Sequence, residues 1–216
     1  MVLKVIFGPW CKGSTQASGV CGPSSNLGGP IWKNMSVKIT YFVHSTTKDN
    51  EKGIASGWSD VGLSKLGKKQ AIELKGKIRN KNFDVVFCSD LKRAVDSAKI
   101  VFQKRAPIYF DWRLRECNFG KYNGQQSSIV ESIQEKYINK RFPGGESFKD
   151  VETRMRDFLE FLKKNYNEKS VAIVAHKAPQ LALDVLIKNK TWSQAFAEDW
   201  RKTNAWQPGW EYLLNA

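Results

Sequence analysis

No apolar run in the 216-residue chain approaches the roughly 20 residues that a membrane span needs. A soluble protein without a membrane partner is the expectation. Cysteine is sparse: Cys11, Cys21, Cys88 and Cys117 form no CxxC pair, so neither a zinc site nor a disulfide framework is supported. A reducing cytoplasm follows as the expected compartment. Histidine is scarcer still, with only His44 and His176. Zinc would require further Cys, His or carboxylate ligands, and none is patterned around these two. No metal and no cofactor are therefore expected.

The first 34 residues contain no acidic residue and no arginine but are dense in Gly, Ser and Pro. Residues 1–34 are thus expected to be a disordered or non-native leader and 35–216 the folded domain. The apolar start Val2 to Phe7 is broken by Gly8 and Pro9, too soon for a secretory core. The stretch from Trp10 to Pro30 resembles the peptide read from a tRNA gene, which would make Met35 the true start.

What the chain has in excess is positive charge, +14 overall. Three of the 35 basic residues and none of the 21 acidic ones precede Met35, which leaves +11 on residues 35–216. Such a field concentrates anionic ligands, from phosphate esters to nucleic acid; a solvated lysine-rich surface is the plainer alternative.

Val37 to Val43 is β-branched and aromatic and reads as a buried strand. Further strands are expected at Asp84 to Cys88, Ile108 to Phe110 and Val171 to Ala175. Helices are expected over Ser64 to Asn80, after Ser89 or Asp90, over Ser128 to about Lys140, from Phe148 to Leu162, and over Pro179 to Lys188. The alternation predicts an α/β fold, a three-layer α/β/α sandwich around a mostly parallel sheet. Ligands of such sheets gather at the carboxyl ends of the strands, where both histidines fall. A lone strand-end histidine is more often structural, but two at equivalent positions weigh against chance.

Six ordered motifs add to this: His44 with Asn50, GWSDVGLSKLG from Gly57, SDLKRA from Ser89, LRECNFGKYNG from Leu114, PGGES from Pro143, and VAH ending at His176. Together they resemble the histidine phosphatase superfamily, in the phosphoglycerate mutase-like branch that includes α-ribazole phosphatase-type enzymes. The resemblance implies a metal-independent phosphatase of phosphoglycerate mutase-like fold. It also implies a phosphohistidine on His44, Arg93 and His176 holding phosphate, Glu116 as acid/base, and Asn50 as a neutral donor.

Two departures accompany the match. Relatives carry arginine before the nucleophilic histidine and Gly-Glu/Gln-Thr after it, whereas this chain reads Val43-His44-Ser45-Thr46-Thr47. After the second histidine, Lys177 stands where glycine is usual. Lys177 is expected to restore the missing charge, with hydroxyls from Ser45, Thr46 and Thr47 as added donors. A degenerate relative that binds phosphate with little turnover stays open, as does mutase-type phosphotransfer. The short segment between LRECNFG and His176 and the PGGES motif favour hydrolysis of a phosphorylated small molecule.

Nucleic acid is the less favoured partner, because the densest basic group (Lys68, Lys69, Lys75, Lys77, Arg79, Lys81) has no interleaved aromatics. TWSQAFAEDWRK reads as one helix with Trp192, Phe196 and Trp200 on a single face. Trp192, Trp200, Trp206 and Trp210 are expected to pack a terminal helix and strand, with a substrate lid or dimer contact as alternatives. Monomer and homodimer are both compatible with the sequence.

Overall fold

The computed structural model describes residues 36–203 and 207–215. The expected leader, Met35, Cys11, Cys21 and Trp206 lie outside the described residues. Strand β1 (Ser36–Val43) leads through α1 (Lys48–Glu51) and β2 (Ile54–Ala55) to α2 (Lys65–Lys77), β3 (Val85–Cys88), α3 (Lys92–Phe102) and β4 (Ile108–Phe110). After a loop come β5 (Gln125–Gln126), α4 (Ser127–Ile133), α5 (Phe148–Asn165), β6 (Ser170–Ala175) and α6 (Lys177–Lys188). The chain then forms α7 (Trp192–Ala197), α8 (Trp200–Thr203) and β7 (Trp210–Asn215).

The main sheet runs β4-β3-β6-β1-β7. Its first four strands are parallel and β7 pairs antiparallel with β1. The expected α/β sandwich with a mostly parallel sheet is borne out.

Strand alternation separates two cores. Ile39, Tyr41, Phe87, Val171 and Ile173 pack with the α5 residues Met155, Phe158 and Leu162 and with Leu181 and Leu183 of α6. Phe42, Val86, Cys88, Ala172 and Val174 pack on the other face with Ala71 and Ile78 from the α2 side and Ala98, Val101 and Phe102 of α3. Each fully buried large aliphatic or aromatic side chain contributes about 1.5–3 kcal/mol. The basic residues on and after α2 are exposed, as expected of a solvated face.

Three sequence expectations change. Helix α3 opens at Lys92 without a cap from Ser89 or Asp90; Asp60 Oδ1, from the GWSD loop, accepts the Lys92 N–H at 2.7 Å. The helix expected to reach Lys140 stops at Ile133 and continues as a 3₁₀ turn to Tyr137, where Tyr137 stacks on Phe142 at 4.0 Å. Tertiary packing overrides local helical preference there.

The third change is in the tail. The single helix read across TWSQAFAEDWRK is two, because buried Asp199 starts a new turn by accepting the Arg201 N–H at 3.1 Å. Trp192 and Phe196 are buried as expected. Trp200 instead packs against Trp210, with ring centroids 5.7 Å apart and the planes tilted by 38°.

Helix α2 approaches the loop after β1 at Gly67, capped by Ser64 Oγ at 3.1 Å. A Cβ there would stand 1.9 Å from the Thr46 carbonyl oxygen. Gly67→Ala should therefore destabilise the fold by about 1–3 kcal/mol through overpacking, read as a lower urea midpoint with unchanged slope. An unchanged midpoint would mean that the loop yields freely.

Candidate active site

Parallel pairing in register sets Val43 opposite Ala175 and carries both strand-end histidines to one point. The His44 N–H donates to the Ala175 carbonyl at 2.9 Å, and the two imidazole centroids lie 5.0 Å apart, tilted by 60°. Tyr41 Oη donates to the His176 carbonyl at 2.7 Å and accepts its N–H at 3.0 Å. The second histidine's backbone is thus pinned from within the first strand.

His44 Nδ1 lies 2.8 Å from the Ser45 carbonyl oxygen. A carbonyl only accepts, so Nδ1 is the protonated nitrogen and Nε2 keeps its lone pair in the neutral ring. Burial, reinforced by the Arg93 charge, lowers His44 to about 3 despite the Ser45 bond, which acts the other way. The ring nonetheless keeps part of its surface toward a cavity.

His176 is completely buried behind it and does not line that cavity. Neither of its ring nitrogens has a hydrogen-bond partner among the described residues. Burial, then the Arg93 and His44 charges, hold it well below the usual histidine range. An unpartnered buried polar group costs about 1–3 kcal/mol, so the two bare ring nitrogens of His176 call for an explanation.

The cavity, of about 400 Å³, is lined by His44, Arg93 and Glu116 together with Thr46 and Asn50. Buried Arg93 donates through Nη1 to the Ser59 carbonyl at 2.9 Å and through Nη2 to Gly57 at 2.6 Å. Gly57 has φ of +51°, a conformation that glycine adopts without strain. The remaining guanidinium N–H groups are left for a ligand. Burial is the main influence lowering the Arg93 pKa, opposed by Glu116, Asp60 and Asp49, and an arginine so placed stays charged.

Glu116 sits on the N-terminus of α6. Its Oε1 accepts the N–H groups of Cys117 and Ala178, both at 2.9 Å, and its Oε2 accepts that of Lys177 at 3.2 Å. The carboxylate is therefore oriented by backbone that starts immediately after His176. Glu146, from PGGES, holds the Asn118 N–H at 2.9 Å and the buried Arg154 at 2.9 Å, and Arg154 in turn donates to the Glu116 carbonyl at 3.0 Å. Asp90 of SDLKRA grips Arg115 at 2.8 and 2.7 Å. Much of the motif content thus braces the loop that carries Glu116.

The other expected site residues divide. Asn50 spends its amide oxygen on the Thr47 N–H at 3.0 Å, so its NH₂ end is the one left for the cavity. Ser45 is not a lining residue; it contributes the carbonyl that orients His44, and its N–H is held by Ser97 Oγ at 3.0 Å.

Lys177 lines the cavity, but its ammonium does not stand free for phosphate as expected. Nζ lies 2.9 Å from buried Asp199 and 3.4 Å from Glu131. Arg201 and Trp200, neither singled out as a ligand residue from sequence, line the same cavity. Arg201 carries no local sequence signal that sets it apart from a surface arginine. Among the described residues no group of three or more His, Cys, Asp or Glu is placed to hold a metal ion, and no helix is long and apolar enough to cross a membrane.

A family model described as the histidine phosphatase superfamily (branch 1) matches residues 41–205. The chain belongs to that superfamily. Among histidine phosphatase relatives, phosphoserine phosphatase 1 of Hydrogenobacter thermophilus is 31% identical over 159 residues, covering 68% of this chain and 74% of that protein. A 2,3-bisphosphoglycerate-dependent phosphoglycerate mutase of Buchnera aphidicola is 37% identical over 107 residues, but this spans only 46% of the chain and 45% of the mutase. The α-ribazole phosphatase of Shigella flexneri shares the fold, with a TM-score of 0.65 at 23% identity over 74% of this chain and 84% of that one. The expected class, a phosphatase of this superfamily with a phosphoglycerate mutase-like fold, is borne out.

Because the chain has only two histidines, their ionisation can be followed directly by NMR. Neither imidazole should titrate between pH 8 and 5, and His44 should show the Nδ1–H tautomer. In the unfolded chain both rings take up protons near 6.5, so unfolding binds protons between about pH 6.5 and 3 and stability should fall as pH falls through that window. A resonance titrating near 6.5 would contradict the buried neutral pair.

Proposed function

We propose that this histidine phosphatase hydrolyses small phosphomonoesters through a phosphohistidine on His44. The observation that carries the reading is the Nδ1 hydrogen bond to the Ser45 carbonyl at 2.8 Å. It leaves an unprotonated Nε2 in the cavity shared with Arg93 and Glu116. A neutral imidazole is a good nucleophile near pH 7, and its phosphoramidate is labile to water.

In the first step Nε2 attacks phosphorus and the ester P–O bond breaks. Arg93 holds the phosphate oxygens as a planar fork; His176, which the resemblance assigned to phosphate, lies buried behind His44 and off the cavity wall. Asn50 and Thr46 add neutral donors at the rim. Protonated Glu116 gives its proton to the departing alkoxide; Oε2, with a single N–H contact, is the oxygen with capacity to carry it.

In the second step Glu116 takes a proton from water as that water attacks phosphorus. The P–N bond breaks, its electron pair returns to Nε2, and inorganic phosphate leaves. The cavity adds apolar surface from Ile54, Phe119, Val130 and Phe148, in keeping with a small organic alcohol as the leaving group. Phosphoserine, the ester named for the Hydrogenobacter relative, is a fitting first physiological candidate.

The test is turnover of p-nitrophenyl phosphate and phosphoserine beside rapid-quench trapping of ³²P on the protein. Wild type should form an acid-labile, base-stable phosphoprotein that His44→Ala does not form. Glu116→Gln should lose about 10²-fold to 10⁴-fold in kcat while still binding phosphate. Turnover retained by His44→Ala would refute the mechanism. Phosphate binding by wild type without turnover would favour the degenerate reading, and phosphoryl return to a phosphoglycerate in place of release to water would favour the mutase.

A further inference from the structure

The phosphate pocket of this chain lacks the arginine expected before His44, where Val43 lines the cavity instead. Lys177 cannot replace it without giving up Asp199 and Glu131. Another cation reaches the same cavity from far along the chain. Arg201 lies on the short helix α8 and lines the cavity with His44, Arg93 and Glu116.

Its placement is built by buried neighbours. Asp199, nearly fully buried, caps the turn through the Arg201 N–H at 3.1 Å and stands 3.8 Å from Arg201 Nη1. Lys177 Nζ pairs at 2.9 Å with Asp199 Oδ2, the oxygen that faces Arg201 Nη1. Burial would raise the Asp199 carboxyl, but Lys177 and Arg201 outweigh it and keep it below its ordinary value. The guanidinium carbon of Arg201 lies 4.9 Å from the Trp200 ring centroid, a cation–π distance. Trp200 is itself fixed by a hydrogen bond from Nε1 to Gln180 Oε1 at 3.2 Å and by its tilted ring contact with Trp210. Arg201 also keeps about a third of its side chain exposed, so it is not buried against protein on all sides.

From this geometry we infer that Arg201, delivered by the C-terminal tail, supplies the second guanidinium of the phosphate pocket that Val43 leaves out. The Lys177–Asp199 pair is its positioning element. The charge of Arg201 is felt at both imidazoles, adding to that of Arg93. Lys177 thereby contributes indirectly, by holding the carboxylate that steers the arginine.

The inference rests on the phosphohistidine reading, and its test separates the two. The variants are Arg201→Gln, Arg201→Lys, Val43→Arg and the Val43→Arg/Arg201→Gln pair, with exposed Lys202→Gln as a control and His44→Ala as the reference for the mechanism itself. Each is assayed for kcat and KM on p-nitrophenyl phosphate, which has no second anionic group, and for inhibition by orthovanadate. The removal of one transition-state donor commonly costs about 10²-fold to 10³-fold in rate; Arg201→Gln should lose on that order in kcat/KM, mostly in kcat. It should also bind vanadate more weakly. Arg201→Lys should fall between, since it keeps charge but not the fork.

Val43→Arg should restore much of the activity that Arg201→Gln loses, so that the Val43→Arg/Arg201→Gln pair exceeds Arg201→Gln alone. That rescue is not expected of a merely structural arginine. Arg201→Gln within about threefold of wild type on p-nitrophenyl phosphate, with His44→Ala inactive, would overturn the inference and leave the mechanism standing. Loss confined to phosphorylated acids such as phosphoserine would also overturn it, by putting Arg201 on the substrate's distal charge. Activity in His44→Ala would instead remove the mechanism on which the inference rests.

Discussion

The parallel pairing of β1 with β6 is the constraint from which the site follows. One backbone hydrogen bond, from the His44 N–H to the Ala175 carbonyl, continues the ladder past the strand and leaves two imidazoles facing each other 5.0 Å apart. A shift of one residue in that register would send one side chain to the opposite face. The rings would then lie on different sides of the sheet. Tyr41 reinforces the register from β1 by bonding the backbone of His176 on both sides of its hydroxyl.

Around that pair the structure gathers charge and buries the His176 ring completely. Burial keeps both rings neutral, while Arg93 contributes positive charge without donating to either. Glu116 brings a carboxylate to the first turn of α6, the helix that begins where β6 ends. The strand of His44, the strand of His176 and the loop of Glu116 thus meet through backbone contacts. Such contacts are indifferent to the side chains that surround them, which is how a pocket can lose one residue, as at Val43, and keep its frame.

The hydrophobic alternation of Val37 to Val43 and Val171 to Ala175 was enough to place both histidines at strand ends, and the spacing of Phe148 to Leu162 was enough for α5. Glu116, Arg93 and Asn50 were legible through motif order and do line one cavity. The reading of Lys177 failed for a definite reason: Asp199, 22 residues further on, neutralises it, and the turn that buries Asp199 divides what periodicity presented as one helix. The start of α3 was misplaced for a similar reason, since its first N–H is satisfied by Asp60 across the fold. Arg201 was overlooked because nothing local distinguishes it from a surface arginine.

By itself, then, the sequence determined the elements, their alternation, the family and the chemical identity of the groups available for phosphate. These depend on local periodicity and on short motifs, both of which are contained in neighbouring residues. Only the tertiary structure decided which nitrogen of His44 carries the proton, how deeply His176 is buried, which carbonyls hold Arg93, and which carboxylates hold Lys177. Those outcomes depend on hydrogen bonds, charge pairs and desolvation among residues far apart in the chain. The position of Val43 shows the difference: the sequence records the loss of an arginine, while the fold brings Arg201 to the same cavity.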